Sequence, residues 1–213
     1  MTVRILMLTG YRQSGKDYLY QRLANDVSLF LKPKTWTVYK HPEANTTLKF
    51  PKFNNLKDIR FSDAIKAEVK TEYGTKSCKN IKNGRFFECL DMHFYSVRDL
   101  HVTWNKLRRK QDPNYWVKVI TEKLHVTNQD YMILDWHFPN EHKYLKARHN
   151  NIITARLFNS TAPIPPAIID SEHALNTWNT EYLIVPNSLN ESEFHIAVKH
   201  FPFYTNYVAC DHL

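Results

Sequence analysis

An α/β fold, a parallel β-sheet flanked by helices, is what the sequence predicts, and three observations predict it. Short apolar runs of strand length recur along the chain, amphipathic helical patterns lie between them, and the first run passes through a short loop directly into a helix. That first run is Val3 to Thr9, ending at Gly10, after which apolar residues recur at helical spacing from Lys16 to about Leu31 through Leu19, Leu23, Val27 and Phe30. Runs at Thr35 to Tyr39, Tyr131 to Leu134, Ile152 to Leu157 and Tyr182 to Val185 have the length and branching of buried strands. Helical patterns cover Asp63 to Tyr73, Pro113 to Leu124, Pro139 to His149 and Glu191 to His200, the second and third with proline near the first turn. The segment from His41 to Lys57 holds Pro42, Pro51 and several asparagines without periodicity, and reads as a long surface loop. From Lys76 to Lys110 the chain turns basic and aromatic, and reads as one or more helices beside the sheet.

Composition narrows the function classes. With 213 residues, 43% hydrophobic and 23% charged, the chain has the makeup of a folded globular domain, not of a disordered tail, a collagen or a coiled coil. The prolines are scattered and no linker stands out, so residues 1–213 read as a single domain. No apolar stretch approaches the roughly 20 residues needed to span a bilayer, so neither a membrane span nor a signal peptide is expected. Cys78, Cys89 and Cys210 are an odd number without disulfide spacing, which points to a reducing compartment, the cytoplasm. With no paired C-x-x-C, a zinc site at Cys78, Cys89 and His93 is not expected. The net charge of +8 calls for anionic partners: nucleic acid, an anionic membrane surface or small polyphosphates. Because the basic residues form no uninterrupted tract, polyphosphates are favoured and nucleic acid is not expected.

One motif makes this choice concrete. Gly10-Tyr11-Arg12-Gln13-Ser14-Gly15-Lys16-Asp17 fits G-x-x-x-x-G-K, with Asp17 where serine or threonine is usual. The chain has only four glycines, and two of them, Gly10 and Gly15, stand where such a loop needs unhindered backbone. In this pattern backbone N–H groups and a helix start turn on phosphate oxygens, while the lysine adds a point charge. The fold expected is therefore of the P-loop NTPase type, with ATP held by Gly10, Arg12, Gln13, Ser14, Gly15, Lys16, Asp17 and Tyr18. Asp17 would bring Mg²⁺, directly or through water, or serve as an acid at the helix N-terminus.

Gly15-Lys16-Asp17, together with further blocks in order, resembles the deoxynucleoside monophosphate kinases of phages and large DNA viruses, over Arg4 to about Asn187. Phe61-Ser62-Asp63-Ala64-Ile65-Lys66 resembles the family's F-A-D-x-L-K, where a strand leads into a helix lining the acceptor pocket. Gln111 to Val117 is similar to its D-P-x-x-W block. Ile133 to Glu141 resembles its strand-ending D-x-R-F-x-N-E, with His137 in place of the family's arginine. Ala155-Arg156-Leu157 falls where the family's strand delivers an arginine, and Ser171-Glu172-His173-Ala174-Leu175 with Tyr182 to Asn187 resembles its S-E-x-x-L block and last strand. Animal-type phosphomevalonate kinase shares the G-K-D followed by an aromatic such as Tyr18; the Phe138-Pro139-Asn140-Glu141 run favours the nucleotide kinase, while Asp17, His137 and the +8 charge leave as a further alternative a nucleotide- or nucleic-acid-binding protein that kept the fold and lost catalysis.

The resemblance implies transfer of a phosphoryl group from Mg²⁺-ATP to a deoxynucleoside 5′-monophosphate, in the host cytoplasm if the protein is viral, by an enzyme that can form a homodimer. Phosphoryl transfer itself needs a donor cradle, a divalent ion, cations on the moving group and an acceptor site. Lys16, Asp135, Arg108 and Arg109 are the expected catalytic residues, with Asp17 and Asp135 at the metal, and the basic segment 76–112 is the expected helical lid and acceptor region. Arg156 is assigned to ATP, and Asp63, Lys66, Arg98, Trp116, His137 and Glu172 to the acceptor nucleotide.

Overall fold

The computed structural model describes residues 3–25, 36–44, 50–53, 55–80, 87–89, 92–94, 96–124, 129–159, 173–186 and 208–212. The fold is α/β, with a mostly parallel sheet, and the chain divides into two compact units. Unit 1 comprises Met1–Ile59 and Val126–Leu213, and unit 2 comprises Arg60–His125.

Unit 1 holds the sheet. Its strands are β1 (Ile5–Thr9), β2 (Trp36–Lys40), β3 (Lys57–Ile59), β6 (Tyr131–Ile133), β7 (Ile152–Leu157), β8 (Tyr182–Pro186) and β9 (Val208–His212), in the order β3-β6-β1-β7-β8-β2-β9. β3, β6, β1, β7 and β8 run parallel, and β1 at the centre pairs Met7 with Ile133 of β6 and Thr9 with Arg156 of β7. The expectation of an all-parallel sheet is corrected at one side: β2 is antiparallel to β8, and β9 is antiparallel to β2.

Alternation builds the core from both faces. Leu6, Leu8, Met132, Leu134, Ala155, Leu157, Tyr182, Ile184, Trp36 and Val38, spaced by two along their strands, form one buried cluster with Leu19 of helix α1 (Lys16–Asn25). Ile5, Met7, Tyr131, Ile133, Ile152 and Leu183 alternate with them and are buried too, as strands covered on both faces require. The segment 41–57 is not wholly a surface loop. Phe50 and Leu56 are buried in the same cluster, because two large apolar side chains in an irregular stretch still gain by leaving water, and Lys57 opens β3. At the amino end of β1, Arg4 donates to Asp130 from its backbone N–H (3.0 Å) and from Nη2 (2.6 Å), tying β1 to the entry of β6.

Helix α5 (Pro139–Lys146) also belongs to unit 1. Its His142 lies beside Trp136 (5.8 Å between ring centroids) and Trp178 (5.3 Å). Burial first, and the nearby Lys146 second, hold His142 below the ordinary histidine value of 6.5. A base with a lowered pKa in the folded state gives stability that is complete above 6.5 and is lost as the pH falls below it, since the unfolded chain takes up the proton first. His142→Phe keeps the aromatic packing and removes the titration, so the drop in thermal midpoint between about pH 7 and pH 5 shrinks relative to wild type. A drop of unchanged size would show that His142 does not contribute. His101 in unit 2 is lowered in the same sense, by burial and then Lys66, so part of the acid sensitivity remains in the variant.

Unit 2 contains α2 (Phe61–Asn80), a hairpin of β4 (Phe87–Cys89) and β5 (Met92–Phe94), α3 (Val97–Gln111) and α4 (Tyr115–Thr121). The basic stretch 76–110 is thus not helix alone, for the hairpin interrupts it. The Ser96 hydroxyl caps α3 by accepting from the Asp99 N–H at 3.1 Å. Glu68 joins the three helices: its Oε1 accepts from Arg108 Nε (2.6 Å) and Trp104 Nε1 (3.1 Å), and its Oε2 from the Tyr115 hydroxyl (2.8 Å). No described helix is long and apolar enough to cross a membrane. The expected helix over 191–200 and the end of the first helical pattern, 26–31, lie outside the described residues.

Candidate functional site

The loop between β1 and α1 is built around backbone that only certain residues accept. Gly10 has φ +147°, Gln13 +65° and Gly15 +102°. A Cβ at Gly10 would stand 2.5 Å from the carbonyl oxygen of Leu157 in β7, so glycine is required there by space as well as by conformation. The Ser14 N–H donates to the Tyr11 carbonyl (3.1 Å), and the Leu19 N–H to the Gly15 carbonyl (3.0 Å), which starts α1. Backbone that alternates into the left-handed region gathers its N–H groups on one side, an arrangement suited to anions. Ser14 is buried, and its Oγ has no hydrogen-bond partner among the described residues. Lys16 folds back over the loop, its Nζ donating to the carbonyls of Gly10 (2.5 Å) and Tyr11 (2.9 Å).

The sheet topology brings further residues to this edge. The chain passes from β6 to β7 on opposite sides of β1, and in open parallel sheets such a switch point is where ligands bind, at the carboxyl ends of the strands. Arg156 pairs in register with Thr9, the residue before Gly10, and is 5% exposed. Its Nη2 donates to the Leu175 carbonyl, and it lines one cavity with Gly10, Tyr11, Ser14 and Asn159. Asp135 stands two residues beyond Ile133, the partner of Met7, and so at the level of Thr9. The turn that follows is held by Glu141, which is buried and accepts from the N–H groups of His137 and Phe138, both at 3.1 Å. Pro139 at the first position of α5 and Glu141 at the third are helix-start chemistry, so this block positions Asp135 and His137 at the end of β6.

Several residues around the loop carried no sequence signal. The Tyr11 hydroxyl and the Asn176 side chain bond each other (3.2 and 3.4 Å), and Asn176 Nδ2 lies 3.0 Å from His173 Nδ1. Asn159 Nδ2 donates to the Ser14 carbonyl at 3.5 Å. Lone asparagines in irregular segments have no periodicity, and only the fold reveals that they flank Gly10–Lys16.

Of the other expected donor residues, Arg12, Gln13 and Asp17 are exposed. Tyr18 packs on Trp36 of the core (5.3 Å between ring centroids), so its ring serves the sheet as well as the helix start. Unit 2 holds the remainder, apart from Glu172, which lies outside the described residues. Asp63 and Lys66 pair with each other at 3.0 Å on the exposed first turns of α2, and Arg98 is exposed on α3. Arg109 Nε donates to Asn105 (2.9 Å). Arg108 is committed to Glu68 and lies over the rings of Trp104 and Tyr115 at 4.7 and 5.0 Å. Trp116, expected at the acceptor, is 0% exposed and packs edge-on to Tyr115 within unit 2.

No group of three or more His, Cys, Asp or Glu residues that could hold a metal by itself occurs among the described residues. Compared with protein-family models and with curated proteins, the chain matches none.

Proposed function

We propose that the protein is a P-loop NTPase-type kinase that uses Mg²⁺-ATP to phosphorylate deoxynucleoside 5′-monophosphates to diphosphates. The observation that carries this reading is the Gly10–Lys16 loop: three residues of positive φ and an inward lysine between the central strand and a helix start. A phosphate chain fits that loop, since it would accept from backbone N–H groups and from the partnerless Ser14 hydroxyl. Lys16 exchanges its two carbonyl partners for phosphate oxygens, and Arg156, buried and fixed through Leu175, supplies a second cation at the same edge.

Mg²⁺ takes one or two carboxylates beside phosphate oxygens and water, which Asp17 and Asp135 can provide without a preformed cage; when bound it neutralises charge on the moving group. An acceptor phosphate oxygen forms a bond to the γ-phosphorus as the bond to the β-bridging oxygen breaks, and Asp135 can take the acceptor's proton. His137 donates to acceptor phosphate in this reading, with Asp63, Lys66, Arg98 and Arg109 as acceptor or lid contacts. Arg108 acts from its Glu68 anchor. The choice of a deoxynucleotide as acceptor is supported by the resemblance, above all by the Phe138–Glu141 run.

The test is a coupled ADP-release assay with Mg²⁺-ATP against dTMP, dGMP, dCMP, dAMP and mevalonate 5-phosphate, each offered alone. Equal formation of ADP and of a deoxynucleoside diphosphate is the expected result. Turnover confined to mevalonate 5-phosphate would replace the acceptor with that of phosphomevalonate kinase, and silence on every acceptor would overturn the kinase.

A further inference from the structure

The chain's positive charge is concentrated in unit 2, where 14 Lys and Arg face 8 Asp and Glu, leaving +6 of the chain's total of +8. On α3 this charge is ordered. Arg98, Val102, Lys106 and Lys110 follow one another at intervals of four and are all exposed, a row of about 18 Å along one helix face. Val102, 42% exposed, is the large apolar residue most open to solvent among those described, and it stands inside the row. On α2, Lys70 is exposed one turn beyond Lys66.

Three of the unit's eight acids are paired with other cations: Asp63 with Lys66, Glu68 with Arg108 and Asp112 with Lys118. Lys70, Lys106 and Lys110 have no ion pair among the described residues. Read along the chain these cations form no tract; wound on a helix they form a line, and a line of unneutralised cations matches a polyanion of regular charge spacing. A membrane surface fits less well, because Val102 is a single exposed apolar residue and Leu100 and Trp104 of α3 are turned inward. Leu100 is 3% exposed and Trp104 is bonded to Glu68, so the row has no broad apolar face to insert.

We propose that the exposed face of α3 carrying Arg98, Lys106 and Lys110 binds the phosphate backbone of nucleic acid. Binding is sequence-independent and driven by release of condensed counterions. The test is independent of the kinase reading, since Lys106 and Lys110, the residues it changes, are given no part in phosphoryl transfer.

The test is fluorescence anisotropy of the full chain with a labelled DNA duplex of about 20 base pairs, titrated from about 50 to about 200 mM KCl. Three phosphate contacts give a log–log slope of about −3, an affinity loss of ~40-fold across that range. The double variant Lys106→Gln, Lys110→Gln flattens the slope by about 2, and Lys106→Gln alone by about 1, with the thermal midpoint and ATP turnover unchanged. Absence of DNA binding, a slope unaltered in both variants, or binding to phosphatidylserine vesicles or polyglutamate in preference to DNA would each overturn the proposal.

Discussion

Lys16→Ala abolishes turnover with Mg²⁺-ATP, lowering kcat by about 10³-fold or more, while the fold survives. The size follows from the role proposed for the ammonium: a cation aimed at developing phosphoryl charge is worth about as much as an oxyanion-hole donor or more. The fold survives because the bonds of Lys16 to loop carbonyls are worth about 1 kcal/mol net each, and the strand and helix on either side are fixed by Leu6, Leu8 and Leu19 in the core. The measurement is ADP release beside the thermal midpoint. Turnover within about tenfold of wild type would remove Lys16 from the chemistry and with it the main support for the kinase.

Gly10→Ala is the largest expected loss of stability. Its φ of +147° is a region L-residues rarely adopt, and the added methyl would meet the Leu157 carbonyl at 2.5 Å, a backbone atom of a central strand that cannot swing aside. Backbone strain of about 1–3 kcal/mol and displacement of the loop from β7 together lower the thermal midpoint by roughly 5–15 °C and weaken ATP binding. Gly15→Ala is the control. Its φ of +102° is also unfavourable, but the nearest atom is a Leu157 methyl at 3.9 Å, so strain acts there without collision and the loss is smaller. Equal losses in the two variants would show that conformation, not the approach of β7, sets the requirement at Gly10.

The candidate site was legible in parts and for definable reasons. Gly10, Gly15 and Lys16 stand out because chain-local geometry demands them, and Glu141 with Pro139 because a helix start has a local signature. The burial of Trp116 was not legible. An aromatic residue beside a proline looks the same in sequence whether its ring faces a ligand or a core. Arg108 gave no warning of Glu68, 40 residues away and on another helix. Asn159 and Asn176 became neighbours of the loop only when β7 lay beside β1 and the 173–178 segment came to rest against Tyr11.

By itself the sequence determined the alternation of strands and helices, the strands at 131–133, 152–157 and 182–186, and the loop from Gly10 to Lys16, because period and turn chemistry are properties of a few consecutive residues. Tertiary structure alone decided the antiparallel β2 and β9, the burial of Phe50 and Leu56, the hairpin within the basic segment and the row of cations on α3. A strand's periodicity shows that it has a buried face, but its direction and neighbours are chosen by hydrogen-bond partners far along the chain. A cation's setting is likewise fixed by which acid the fold brings within reach, and for Lys70, Lys106 and Lys110 the described fold brings none.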